Sequence, residues 1–386
     1  MPERNRTAAL ACVFAANGFA LTGVFMFGPL LVFRLNGLGA SPATIGLFST
    51  AVWVGVLVTT PFASQWVRRI GHRGALALSG AIPLAAIVGV ATTESVPFWA
   101  LCHFVSGGAS ALRWIVSEAA VAEFASDARR GRVVGLYQTM MGGCIVGGPA
   151  LLAMLGPSSM HAIWASGALI TIGLLAGLPM PNPQPMTAES APAGSRSLLA
   201  NMRRAPAVMI AGILGGFFEM GITSLLPVAG LQLGFSAAAA ALLVSASGAG
   251  SALMMLPIGE LADRWTRRTV LLGCASAVLV ACLALPWAAH AGFPLAVAAF
   301  VWGGAGGALY TLAMIEIGHR HRGPDLIEAT SVLVLAYTLG GLFGPAVAGA
   351  AIGVSPRFAL PAVLAVIAAL GLLALTRLLP RAPSRH

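Results

Sequence analysis

Apolar residues run along this chain in long blocks, and the polar residues gather in short gaps between them. About 20 apolar residues in a helix span the hydrocarbon core of a bilayer. Twelve such blocks lie at roughly 8–34, 44–67, 74–92, 97–124, 132–156, 159–179, 207–232, 236–262, 269–289, 293–318, 326–352 and 357–378. The first is too long for the apolar core of a signal peptide, and no A-x-A cleavage site follows it, so it reads as a first spanning helix. The pattern predicts an all-α membrane protein with twelve transmembrane helices.

Composition agrees with that pattern. Of 386 residues, 58% are hydrophobic and 9% are charged, whereas soluble domains carry near 25% charge. The net charge of +10 would suit a nucleic-acid binder if it formed one basic surface. Instead all 22 basic residues are arginines in short clusters between apolar blocks. Such clusters hold loops on the cytoplasmic side. With the N-terminus inside, the inner loops and tails take Arg4, Arg6, Arg68, Arg69, Arg73, Arg129, Arg130, Arg132, Arg196, Arg203, Arg204, Arg264, Arg267, Arg268, Arg320, Arg322, Arg377, Arg381 and Arg385. Arg34 and Arg357 fall at outer helix ends, and Arg113 falls inside the membrane. Both termini are therefore expected in the cytoplasm. The five cysteines all lie in apolar stretches with no CxxC pair, so neither a disulfide framework nor a metal site is expected.

Residues 179–206 change character, with Pro179, Pro181, Pro183, Pro185 and Pro192 excluding a helix. This predicts six-helix bundles over 1–179 and 207–386, joined by a cytoplasmic linker over 180–206. The two parts also match at one offset. Pro61 pairs with Pro257, Gly107-Gly108-Ala109 with Gly303-Gly304-Ala305, and Gly148-Pro149 with Gly344-Pro345, each 196 residues apart. Parallel six-helix repeats carry a substrate site near the bilayer midplane.

The stretch Pro257-Ile-Gly-Glu-Leu-Ala-Asp-Arg-Trp-Thr-Arg-Arg268 resembles the G-x-L-A-D-R-x-G-R-R signature of the major facilitator superfamily. The first-half counterpart, Ser64-Gln-Trp-Val-Arg-Arg-Ile-Gly-His-Arg73, keeps Arg69, Gly71 and Arg73 but has Arg68 at the aspartate position. Trp114-Ile-Val-Ser-Glu118, Arg130-Gly-Arg132, Gly303–Tyr310 and Tyr337–Pro345 continue the likeness, which is to the YcaD-like branch of bacterial members. The resemblance implies a carrier in a bacterial inner membrane whose halves rock about a central site. It implies a gating latch of Asp263, Arg264, Arg267 and Arg268, with Arg69, Arg73, Glu118 and Arg132 as gating candidates of the first half, Glu118 pairing there with Arg129, Arg130 or Arg132. A basic loop that only sets topology is the alternative. Gly143-Cys-Ile-Val-Gly-Gly-Pro149 partly matches the G-x-x-x-G-P pattern of antiporter-type members, although packing by small residues would explain it as well.

Ionisable groups within a span are expensive and so are functional candidates. His103, Ser106, Ser110, Arg113 and Ser117 fall on one arc of the fourth span, a polar stripe that predicts a surface facing water or ligand. A structural arginine satisfied by carbonyls or by a carboxylate is the alternative for Arg113. Glu219 stands mid-way along the seventh span on a face with Gly212, Gly215, Gly216 and Thr223. A lone carboxyl in a low-dielectric cavity can exchange protons near neutral pH, which makes Glu219 the candidate coupling group; a permanent pair with Arg113 is the alternative. His103 is a second candidate proton acceptor. Asn17, Tyr137, Met141 and Tyr310 are candidates for the substrate-binding wall, with ordinary packing as the alternative.

Walker motifs and a nucleophile elbow are both absent from the sequence, which argues against an enzyme or an ATP-driven pump. Three readings follow: proton-coupled efflux of a small amphipathic organic molecule, carriage of an organic anion by Arg113, or a non-transporting sensor or scaffold. Polar groups inside both halves weigh against the third. The expected partners are a small-molecule substrate, protons and the lipid bilayer. No nucleic acid, cofactor or metal is expected, and the chain is expected to act as a monomer.

Overall fold

The computed structural model describes residues 3–124, 130–180, 206–288, 292–320 and 323–379. The linker expected over 180–206 lies almost wholly outside them. The described residues form α1 (Glu3–Gly37), α2 (Pro42–Thr92), α3 (Val96–Phe124), α4 (Arg130–Leu155), α5 (Met160–Gly177), α6 (Pro206–Gly216), α7 (Leu226–Gln232), α8 (Ala237–Arg264), α9 (Arg267–Ala288), α10 (Gly292–Arg320), α11 (Gly323–Val354) and α12 (Ala359–Leu378). They build twelve spans. The element α2 covers two, because Gly71 adopts φ 73° and ψ 165° and breaks it into separate arms. Glycine reaches this backbone region without a Cβ penalty.

The elements α6 and α7 share a single span, which the apolar pattern had predicted as one helix. Between them Phe217–Gly221 is π-helical and Thr223–Leu225 is 3₁₀. Pro227, near the start of α7, has no N–H to give the preceding turn and crowds its carbonyls. Four glycines at 212, 215, 216 and 221 further lower the cost of leaving α geometry. Eleven helical stretches of the described residues are long and apolar enough to cross a membrane. The twelfth span, α3, falls outside that set because His103, Arg113 and its serines lower its hydropathy.

Packing groups the described residues of Met1–Gly39 and Ala51–Ala191 into one unit, and those of Ala40–Thr50 and Pro192–His386 into a second. In the first, α1 packs against α3, α4 and α5. Its core includes Val13, Ala16, Leu76, Leu112, Val116 and Phe124. In the second, α8 packs on α10, α6 on α10 and α11, and α9 on α10 and α12.

The sequence repeat has a structural counterpart within each unit. A Cβ on Gly107 would meet the carbonyl of Val52, and one on Gly303 would meet the carbonyl of Ser247. Likewise Gly55 abuts the carbonyl of Phe104, and Gly250 that of Phe300. Each bundle thus brings two helices together backbone to backbone at glycines, the close approach that small residues permit in lipid. Outward faces carry exposed apolar side chains such as Leu47, Met154, Val280 and Trp287, as a lipid-facing surface requires.

Candidate functional site

The carboxyl of Glu219 is where the second bundle concentrates its polarity. The side chain projects from the π-helical segment between α6 and α7. The Ser251 hydroxyl of α8 donates to Oε1 at 2.5 Å, and the Tyr337 hydroxyl of α11 donates to Oε2 at 2.9 Å. The fourth wall is α10, where Gly307 leaves the room the carboxyl occupies: a Cβ there would stand 2.6 Å from Oε1. The ring of Tyr310 meets that of Tyr337 edge-on at 4.9 Å between centroids. Behind the carboxyl, the Thr223 hydroxyl donates to the main-chain carbonyl of Glu219 and lies 2.9 Å from Ser247 Oγ.

Glu219 remains partly exposed although it sits mid-span. Both of its described side-chain partners are neutral hydroxyls. An arginine or lysine can only donate and so favours the charged carboxylate. A hydroxyl both donates and accepts, so Ser251 and Tyr337 can hydrogen-bond Glu219 whether it is ionised or protonated. The arrangement can therefore hold a proton at Glu219 or release it without leaving a buried polar atom unpaired. Of this constellation the sequence pointed to Glu219, Thr223 on its face, and Tyr310. Tyr337 stood in the sequence only as the start of the Tyr337–Pro345 motif, Ser251 carried no signal of its own, and nothing forecast the π-helical turn, although such turns recur at functional sites.

The first bundle treats its candidates differently. Arg113 is 3% exposed, and its guanidinium donates to the Ala16 carbonyl of α1 at 3.4 Å. It also packs beside Gly80 of α2. Ser117 donates to Asn17 Oδ1 at 3.0 Å, and Asn17 Nδ2 donates to the Val13 carbonyl at 2.8 Å. The part of the stripe formed by Ser106, Arg113 and Ser117 is buried within the bundle, while His103 and Ser110 are half-buried. Tyr137 belongs to the apolar core, edge-on to Phe14 at 5.7 Å, with Met141 packed against the same cluster.

Of the residues expected to form the gating latch, Arg267 pairs with Glu316 of α10 at 3.0 Å, and Arg268 donates to the Thr376 carbonyl of α12 at 3.2 Å. Both contacts lie inside the second bundle. Arg264, Arg69 and Arg73 are exposed. The side chains of Asp263, Glu118 and Arg132 lie outside the described residues.

The family model described as Major Facilitator Superfamily matches residues 13–242 and 208–386. The chain belongs to that superfamily. It is a multi-pass membrane protein and a secondary transporter, not an enzyme. Among its relatives is the uncharacterized MFS-type transporter YfkF of Bacillus subtilis (strain 168), 26% identical over 352 residues, covering 88% of this chain and 87% of the relative. The uncharacterized MFS-type transporter YcaD of Salmonella heidelberg (strain SL476) is 27% identical over 309 residues, or 79% and 78% of the two chains. The resemblance to the YcaD-like branch is thus borne out. Among solved structures, the nucleoside transporter NupG matches with TM-score 0.76 at 13% identity, covering 98% of each chain. A D-xylose-proton symporter matches with TM-score 0.74 at 14% identity, again over 98% of each. These likenesses bear out the major facilitator fold.

Proposed function

We propose that this protein is a proton-coupled transporter that exports a small amphipathic organic molecule, with Glu219 as the group that takes up and releases the coupling proton. The observation that carries the reading is the Glu219 carboxyl itself: mid-span, partly exposed, and held at both oxygens by hydroxyls suited to either protonation state. The break from α to π geometry at the same residue supports it. Export is favoured by Gly143–Pro149, which resembles the antiporter pattern. In the fold this segment also packs α4 on α1, since Gly148 abuts the Thr22 carbonyl. The arginine distribution supports a bacterial inner membrane location with both termini in the cytoplasm, and the proline-rich stretch 180–206 is proposed as the linker between the halves.

Carriage of an organic anion by Arg113 has weaker support. Its guanidinium is buried in the first bundle against a carbonyl, which suits a structural role. Two steps separate the readings. A thermal-shift screen of the purified protein finds a compound that raises its apparent stability. Flux of that compound is then followed in proteoliposomes under an imposed pH gradient. The proton reading expects Glu219→Gln to abolish gradient-driven flux and Arg113→Ala to leave most of it. Binding lost in Arg113→Ala and only weakened in Arg113→Lys would instead favour the anion reading.

A further inference from the structure

The break at Gly71 gives the first bundle a feature that transport does not account for. On the arm before the break, Trp66, Arg69 and Ile70 fall on one helical face, three and four residues apart. Together with Leu78 of the arm after it, they line an open cleft of about 230 Å³. All four side chains are exposed, so the cleft opens outward. Arg69 lies two residues before the turn, at the polar end of the arms. Leu78 lies about 10 Å along its arm, at 1.5 Å per residue, so the apolar wall runs from the loop into the membrane-spanning part.

The charge carried by the two arms has one sign. Arg68 and Arg73 are exposed beside Arg69, and the whole of Pro42–Thr92 contains no aspartate or glutamate. The matching loop of the second half holds Glu260 and Asp263 among its arginines. The first half has lost that balance by placing Arg68 at the aspartate position.

We propose that this cleft binds an anionic phospholipid, with the headgroup phosphate on Arg69 and one acyl chain along Trp66, Ile70 and Leu78. Basic pockets between spans at the membrane surface take lipid headgroups in this way, and arginine forms charge-assisted hydrogen bonds to phosphate oxygens. The tryptophan sits where aromatic side chains favour the membrane interface. Nothing in this assignment depends on the identity of the coupling residue.

The full chain in phosphatidylcholine nanodiscs tests it, doped with phosphatidylglycerol or phosphatidylcholine brominated on the acyl chain. The readout is the quenching of Trp66 fluorescence, isolated as the difference between the parent protein and Trp66→Phe. Half-maximal quenching is expected at a roughly fivefold lower fraction of brominated phosphatidylglycerol. Arg69→Gln should remove that preference and Arg69→Lys retain much of it. Arg69 is exposed, so neither change threatens folding, and the thermal midpoint checks this. Equal quenching by both lipids would make the cleft ordinary annular surface and overturn the proposal. So would a preference that survives Arg69→Gln, or displacement by soluble glycerol phosphate, which would assign the site to a free anion.

Discussion

Glu219 draws its chemical versatility from two side chains far away in sequence, Ser251 at 32 residues and Tyr337 at 118. A hydrogen bond to a charged group contributes about 1.5–3 kcal/mol. Ser251→Ala and Tyr337→Phe are each expected to slow gradient-driven transport by about tenfold or more. Since both hold one carboxyl, the double variant should lose less than the product of the two single losses, as groups acting as a unit do. Initial rates in proteoliposomes measure this; strictly multiplicative losses would show that the hydroxyls act separately. Glu219 was legible in the sequence because a carboxyl in the middle of an apolar block is conspicuous. Its partners were not, because serine and tyrosine are unremarkable in a span until the packing of α8 and α11 against it is known. Arg113 was equally conspicuous, yet sequence alone left open whether ligand or carbonyl satisfies it. At this residue the structure shows the Ala16 carbonyl.

At the scale of elements, glycine decides how closely helices approach. A Cβ on Gly340 would strike the Ile213 carbonyl and the Phe217 amide nitrogen, and one on Gly216 would strike the Tyr337 carbonyl. These contacts fasten α11 to the very segment that turns π-helical. The position matching Gly340 at the 196-residue offset is Cys144, whose thiol donates to the Gly18 carbonyl at 3.3 Å, so the first bundle already accommodates a Cβ there. Gly340→Ala is therefore expected to destabilise the protein by about 1–3 kcal/mol, the usual cost of overpacking. Cys144→Ala should cost about 1 kcal/mol, the value of a weak hydrogen bond. Thermal midpoints in detergent compare the two, and equal shifts would contradict the asymmetry. The ion pair of Arg267 with Glu316 is partly exposed, at 31% and 26% for the two side chains. Arg267→Ala should cost no more than about 1 kcal/mol, and exchanging the two charges should restore part of it. Hydropathy located the spans well, since the cost of exposing backbone in lipid allows only closed barrels or helices, and 20-residue apolar blocks suit helices. It placed the gap at 68–73 that holds Gly71, but it could not locate the break at Glu219, which depends on a local change of backbone hydrogen bonding within one apolar block.

Taken whole, the sequence is a repeat that its mid-span charged residues do not obey. The glycine crossings recur in both bundles, at Gly107 and Gly303 and at Gly55 and Gly250. Glu219 and Arg113 do not recur: the matching positions are Gly23 and Leu309. Packing demands act on both bundles alike and so preserve the repeat, whereas the role proposed for Glu219 needs a carboxyl in one bundle alone. The proposed orientation is checked with fusions at each end of the chain. Green fluorescent protein should be fluorescent and alkaline phosphatase inactive at both termini; an active phosphatase at either end would reverse that assignment. Glu219 is proposed to couple transport to protons. Everted vesicles carrying an acid interior test it most directly, using a pH-sensitive dye and a compound the unmodified protein exports. Adding the compound should discharge the pH gradient through the unmodified protein and leave it unchanged with Glu219→Gln at equal expression. Discharge by Glu219→Gln at the unmodified rate would contradict the account.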